Sequence, residues 1–130
     1  MTDLELIRFV DDYLQACEDR ELERATEALA DVVSLEFPGP TRFADLHAMA
    51  AASSGRYRWV RKHRDHYAVG RDPEGRTVVT SRGRLYGENV HGVPFEDVRY
   101  VDVFVLAEGR IVEQHVWNDL AVSGVLDRRG

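Results

Sequence analysis

The sequence predicts an α+β fold, with helices packed on one face of an antiparallel sheet. Three observations point there. Apolar residues recur at three- and four-residue steps in most of the first 55 positions, then switch to alternation from residue 56 onward. Asp72-Pro73-Glu74-Gly75, His91-Gly92-Val93-Pro94 and Glu108-Gly109 carry turn chemistry and divide that second part into four hairpin-linked strands. Helices and strands are thus segregated along the chain, which favours α+β over a parallel α/β arrangement.

The elements follow in order. Thr2 and Glu5 have capping-box spacing, and Leu6, Phe9, Val10, Tyr13, Leu14 and Cys17 form one apolar helical face. Asp19 is placed to cap a second helix with Leu22, Ala25 and Leu29 as its stripe. Val32 to Phe37 is short and β-branched and reads as a strand, stopped by Pro38-Gly39-Pro40. Thr41 is placed to cap a third helix carrying Phe43, Leu46, Met49 and Ala50 and ending near Gly55. Long strands are expected over Arg56 to Val69, Arg76 to Asn89, Val98 to Leu106 and Ile111 to Asn118. Strict alternation in the first of these puts Tyr57, Trp59, Arg61, His63, Asp65, Tyr67 and Val69 on one face. The third is apolar on both faces, so a second copy of the protein is expected to cover its outer side as a homodimer.

The chain has 130 residues, 44% of them hydrophobic and 31% charged, ordinary values for one soluble domain. No apolar run is long enough to span a membrane, and the acidic start lacks the basic and apolar regions of a signal peptide. Cys17 is the only cysteine, which excludes an internal disulfide and points to a reducing cytoplasmic setting. The net charge of −6 is uneven: residues 1–55 hold 12 acids against 4 bases, and residues 56–130 hold 11 against 13. Arg56, Arg58, Arg61, Lys62 and Arg64 interleave with Tyr57 and Trp59 as in single-strand nucleic-acid binders, but the overall charge disfavours such a partner. His63 and His66 have metal-ligand spacing for a helix, whereas on a regular strand they face opposite sides, so no metal is expected. Phosphate-loop, dinucleotide, nucleophile-elbow and zinc-protease motifs are absent.

Phe37-Pro38-Gly39-Pro40, Val101-Asp102-Val103-Phe104 and Glu108-Gly109-Arg110-Ile111-Val112-Glu113, in this element order, resemble the nuclear transport factor 2-like (NTF2-like), or SnoaL-like, superfamily. The likeness covers nearly the whole chain. It implies one cone-shaped, cystatin-like domain over residues 1–130, with three N-terminal helices on a curved antiparallel sheet around a central pocket. The superfamily holds isomerases, cyclases, dehydratases, epoxide hydrolases and binding domains, so fold alone does not choose among them.

A partial likeness to ketosteroid isomerases implies specific roles. Tyr13 and Asp102 fall on the two groups that donate hydrogen bonds to an enolate oxygen, and Glu36 falls on the proton-shuttling acid. The base position departs from that family in being Glu and in needing a one-residue deletion, and Arg82, Arg84, Tyr86 and Glu88 replace a mainly apolar wall. The epoxide-hydrolase Arg-x-Asp reads Arg82-Gly83-Arg84 here, without its acid. Independently of any family, Asp102 between Tyr100 and Phe104 loses water and resists ionising unless a cation such as Arg84 compensates.

The expected function is cofactor-free acid–base chemistry beside a carbonyl, of isomerase, dehydratase or cyclase type, on a small apolar or polycyclic molecule. Glu36 or His63 would move the proton while Tyr13 and Asp102 steady the enolate oxygen. Tyr57, Trp59, Arg84, Tyr86, Tyr100, Phe104, Val116 and Asn118 are the expected ligand contacts. His115 and Trp117 compete with Gln114, Val116 and Asn118 for the pocket face of the last strand, and the sequence leaves that open. The alternative function is a non-catalytic ligand-binding or dimerisation module in which Asp102 is structural.

Overall fold

A computed structural model describes residues 1–127. Helix α1 spans Asp3–Glu18, and both halves of its capping box form: Glu5 N–H donates to Thr2 Oγ1, and Thr2 N–H to Glu5 Oε1. The short α2 (Leu22–Thr26) follows. Its N-cap position is Glu21, which makes no side-chain cap, whereas Asp19 closes the C-terminus of α1; the expected capping role of Asp19 is corrected. Strand β1 (Leu29–Phe37) begins three residues before the expected Val32.

Pro38-Gly39-Pro40 does not lead directly into a helix. Gly39 adopts φ of +90°, and the chain folds back as a hairpin that pairs Phe37 with Thr41. Thr41 therefore opens β2 (Thr41–Phe43), and α3 (Leu46–Ser53) is capped instead by Asp45, whose carboxylate accepts from Ala48 N–H at 2.8 Å. The remaining strands are β3 (Tyr57–Arg71), β4 (Thr77–Asn89), β5 (Pro94–Ala107) and β6 (Arg110–Asn118), each within a few residues of its expected bounds.

All six strands form one curved sheet in the order β2-β1-β6-β5-β4-β3. It is antiparallel except where β1 lies parallel to β6, a correction to the fully antiparallel expectation. Two apolar clusters fill the concave side. One joins α1 to the sheet through Leu6, Val10, Leu14, Leu35, Val79, Phe104 and Ile111. The other gathers Leu85, Phe95, Val98, Tyr100 and Leu120. Asp102 lies on β5 between Tyr100 of one cluster and Phe104 of the other.

Strand β3 is bulged twice, between Tyr57 and Trp59 and between His63 and His66. Each bulge reverses the side-chain alternation. Tyr57, Val60, Lys62, Arg64, Tyr67 and Val69 are consequently the more buried residues, while Trp59, Arg61, His63 and Asp65 are exposed. The expected single face of Tyr57, Trp59, His63 and Tyr67 is corrected. His63 stands opposite Arg84 and His66 opposite Arg82, so both histidines share the convex face rather than facing opposite sides. Glycines make room for both bulges: a Cβ on Gly83 would collide with the His63 carbonyl oxygen, and one on Gly87 with that of Trp59. Among the described residues, no helix is long and apolar enough to cross a membrane.

Candidate functional site

The concave face brings together Tyr13 from α1, Lys62 from β3, Asp102 from β5, and Gln114 and Val116 from β6. Register fixes which residues reach it. Ser81 opposes Asp102, Asp102 opposes Val116, Phe104 opposes Gln114, and Gln114 opposes Leu35, so all of these share the inner face. The open choice on β6 is thereby resolved: Gln114, Val116 and Asn118 point inward, and His115 and Trp117 outward.

Two small chambers flank Asp102. The first, about 70 Å³, is lined by Tyr13, Cys17, Glu18, Phe37, Met49 and Gln114 among others. The second, about 60 Å³, is lined by Pro38, Ser53, Arg56, Tyr100, Asn118 and Leu120 among others. Phe37, Tyr57, Val60, Lys62, Asp102 and Val116 wall both. Each has room for roughly five waters, at about 10–15 Å³ of probe volume per water. The second chamber shares Phe37, Pro38, Ser53 and Arg56 with a wider vestibule of about 350 Å³, bounded also by Phe43, Ala52 and Ala121. Larger open clefts occur on the convex face around Arg82, Arg99 and Trp117 and beside α2. Neither holds a fully buried ionisable group, so the chambers are the stronger site despite their size.

Asp102 is fully buried, and neither of its carboxyl oxygens has a hydrogen-bond partner among the described residues. The Lys62 ammonium stands 3.9 Å from Oδ2, too far for a hydrogen bond, and 5.3 Å from the centre of the Tyr100 ring. Desolvation raises the Asp102 carboxyl to about 6, and Lys62 opposes part of that rise. Arg84 is not its partner: it lies on the convex face, bonded to Asp65 and Asp97, which corrects that expectation.

Tyr13 donates its hydroxyl proton to Gln114 Oε1 at 2.6 Å and packs edge-on against Phe104. Burial holds its phenol well above the usual range and pushes the neighbouring Cys17 thiol up to about 11. Glu18, the other carboxylate on the first chamber, is committed: it accepts from Lys62 N–H at 2.7 Å and lies 3.3 Å from Arg64. Tyr100 shares a 2.9 Å hydrogen bond with Ser81, and burial raises its phenol too.

Other expected site residues lie elsewhere. Glu36 opposes His115 on the convex side, bonded to Arg42 at 3.1 Å and 3.6 Å from His115 Nδ1; Phe37, the next residue, is the one that walls the chambers. His63 stacks on Tyr86 at 4.4 Å between ring centres, and Trp59 meets Tyr86 edge-on at 5.9 Å, all on the convex face. Glu36 and His63 therefore do not converge with Tyr13 and Asp102, and Trp59, Arg84 and Tyr86 do not line the chambers. Tyr57, Tyr100, Val116 and Asn118 do, whereas Phe104 supports Tyr13 from the core. Lys62, Phe37 and Arg56 escaped the sequence reading as pocket residues, and Gln114 entered it only as part of the open choice on β6; the glycines opposite β3 were the available signal for Lys62.

No protein-family model and no curated protein matches this sequence. Solved structures do match over most of its length. An NTF2-like protein from Burkholderia pseudomallei shares 16% identity over 93% of this chain and 96% of its own, with a TM-score of 0.78. TerC, co-crystallised with polyporic acid, gives 13% identity over 93% and 97%, with a TM-score of 0.74. A candidate polyketide cyclase from Xanthomonas campestris gives 15% identity over 93% and 96%, with a TM-score of 0.67. At these identities the likeness is one of fold, and the fold is NTF2-like, as the sequence motifs imply.

Proposed function

We propose that this protein is a cofactor-free acid–base catalyst acting beside the carbonyl of a small molecule, with Asp102 as the proton carrier. The observation that carries this reading is a fully buried carboxyl, free of hydrogen bonds, facing two chambers and titrating at about 6. A donor acid that must stay neutral at pH 7 is held above about 9 in ketosteroid isomerase. Asp102 titrates far lower, close to neutrality, which suits proton transfer better than permanent donation. Its carboxylate would take a proton from the carbon next to the carbonyl. Lys62 would stabilise the resulting enolate oxygen by charge, and the Gln114 amide, its oxygen engaged by Tyr13, would offer an N–H donor. This reading moves the proton-transfer role from Glu36 and His63 to Asp102. The fold neighbours, one co-crystallised with polyporic acid and one named as a candidate polyketide cyclase, support small-molecule chemistry on this fold.

Proton exchange tests the proposal. Butanone and levulinate in deuterium oxide should lose their α-proton NMR signals faster with protein than with buffer. The rate should rise through an apparent pKa of about 6. Asp102→Asn should lower it by about 10²-fold or more. Exchange that ignores Asp102→Asn, or no exchange with either ketone, would sink the reading. Chambers far below the ~300 Å³ of ordinary ligand sites favour a second reading, in which Asp102 is structural; it predicts that second outcome.

A homodimer over the convex face belongs to the same proposal. Val101 and Val103 are only half-buried there, beside Trp117 at 53% exposed. Sedimentation at micromolar concentration should report a dimer, and Val103→Asp should shift it toward monomer by placing an unpaired charge in the interface. A monomeric wild type contradicts it.

A further inference from the structure

We infer that the molecule entering this site carries a carboxylate, held by Arg56 where the vestibule meets the inner chambers. The inference rests on the reading of the chambers as a substrate site and names the class of substrate. Arg56 is the one residue charged at neutral pH on the vestibule wall, and it also lines the second chamber. The rest of the vestibule is apolar or uncharged, with Phe37 and Phe43 packed edge-on at 5.5 Å.

Position and the lack of an ion pair together set Arg56 apart. Its strand neighbour Arg58 is neutralised by Glu88 at 2.8 Å, Arg64 by Asp11 and Glu18, and Arg84 by Asp65 and Asp97. Arg56 makes no ion pair and no side-chain hydrogen bond among the described residues. Arg8, Arg20, Arg61, Arg71, Arg82 and Arg110 also make no ion pair among the described residues, but none of them lines the vestibule. The vestibule and the second chamber together present two cations, Arg56 and Lys62, and one carboxyl, Asp102, in a chain whose net charge is −6. An acidic body repels anions, and a local cationic entrance on an acid-free wall selects them there. The planar guanidinium fork suits a carboxylate in two-point contact, and the two phenylalanines suit an apolar, ring-sized body. A vestibule of about 350 Å³ falls at the lower end of the range for small-molecule sites.

Matched probes separate charge from shape. Benzoate and cyclohexanecarboxylate are compared with benzamide and cyclohexanecarboxamide by calorimetry and thermal shift. Both acids should bind the wild type at least tenfold tighter than their amides and raise the melting temperature. Arg56→Gln, at an exposed position, should lower the affinity for both acids at least tenfold and erase that preference. Acids that bind no better than amides, or fail to bind at all, overturn the inference, as does a preference that survives Arg56→Gln. Arg56-dependent binding alongside ketone exchange that ignores Asp102→Asn would leave this inference standing and refute only the catalytic reading.

Discussion

Asp102→Asn is expected to stabilise the protein, and to do so more at pH 8 than at pH 4. The wild-type carboxyl titrates at about 6 when folded, against an ordinary value of 3.8. The native state therefore holds its proton more tightly than the unfolded chain does. Well below pH 3.8 both states are protonated, and no penalty arises. As the pH rises, the unfolded chain ionises first and is favoured, and the penalty becomes constant above about 6. At ~1.4 kcal/mol per pKa unit it reaches about 3 kcal/mol at pH 8 and about 0.5 kcal/mol at pH 4. Asparagine removes the titration and keeps the shape, so urea melts at the two pH values should differ by about 2–3 kcal/mol in the variant's favour. The opposite sign at pH 8 would mean that Lys62 holds Asp102 as a stabilised carboxylate. The proton-transfer role would then lose its physical basis.

The second large effect is expected at Gly83. Its missing Cβ leaves space for the His63 carbonyl oxygen and for the Asp65 amide nitrogen, 3.0 Å from where that carbon would sit. Both atoms belong to bulged backbone, which cannot rotate aside as a side chain can. Gly83→Ala should cost at least ~2 kcal/mol, within the range for overpacking. Gly70→Ala is the control, because nothing lies within 4 Å of the added carbon. It should change stability by less than ~0.5 kcal/mol. Equal costs at the two positions would mean that the second bulge does not form as described. The bulge also has a functional side: it follows the stretch that turns Lys62 inward, so Gly83→Ala should shift the pH dependence of Asp102 as well.

What was legible in the sequence was whatever local chemistry decides. The capping box of α1, the turns at 72–75 and 108–109, and the inward placement of Tyr13 and Asp102 all depend on residues within a few positions of each other. What escaped depends on pairing between distant segments. A period-two reading of β3 holds only between bulges, and it failed for Trp59 and His63 because the two irregularities lie on either side of them. Gly83 and Gly87 marked the irregularities, but on the neighbouring strand, where their meaning needs the register. Glu36 faces outward because β1 runs parallel to β6 with Glu36 opposite His115, a pairing that no local pattern encodes. Thr41 was misread for a simpler reason: a Pro-Gly-Pro turn can end a strand before a helix or before a hairpin.

The position of β3 in the strand order gives its run of bases another meaning. It is one of the two edge strands of the sheet, fifteen residues long, and its free margin offers backbone hydrogen-bonding groups to any passing chain. One of these is already capped, since Lys62 N–H is taken by Glu18 of α1. Elsewhere the two bulges break the straight template that an intruding strand would need, and Arg61 and Arg71 place charge along it. Of the cluster that resembles a nucleic-acid footprint in the sequence, Lys62 and Arg64 thus turn inward while Arg61 stays exposed, the kind of charge that discourages an exposed sheet margin from pairing with another copy.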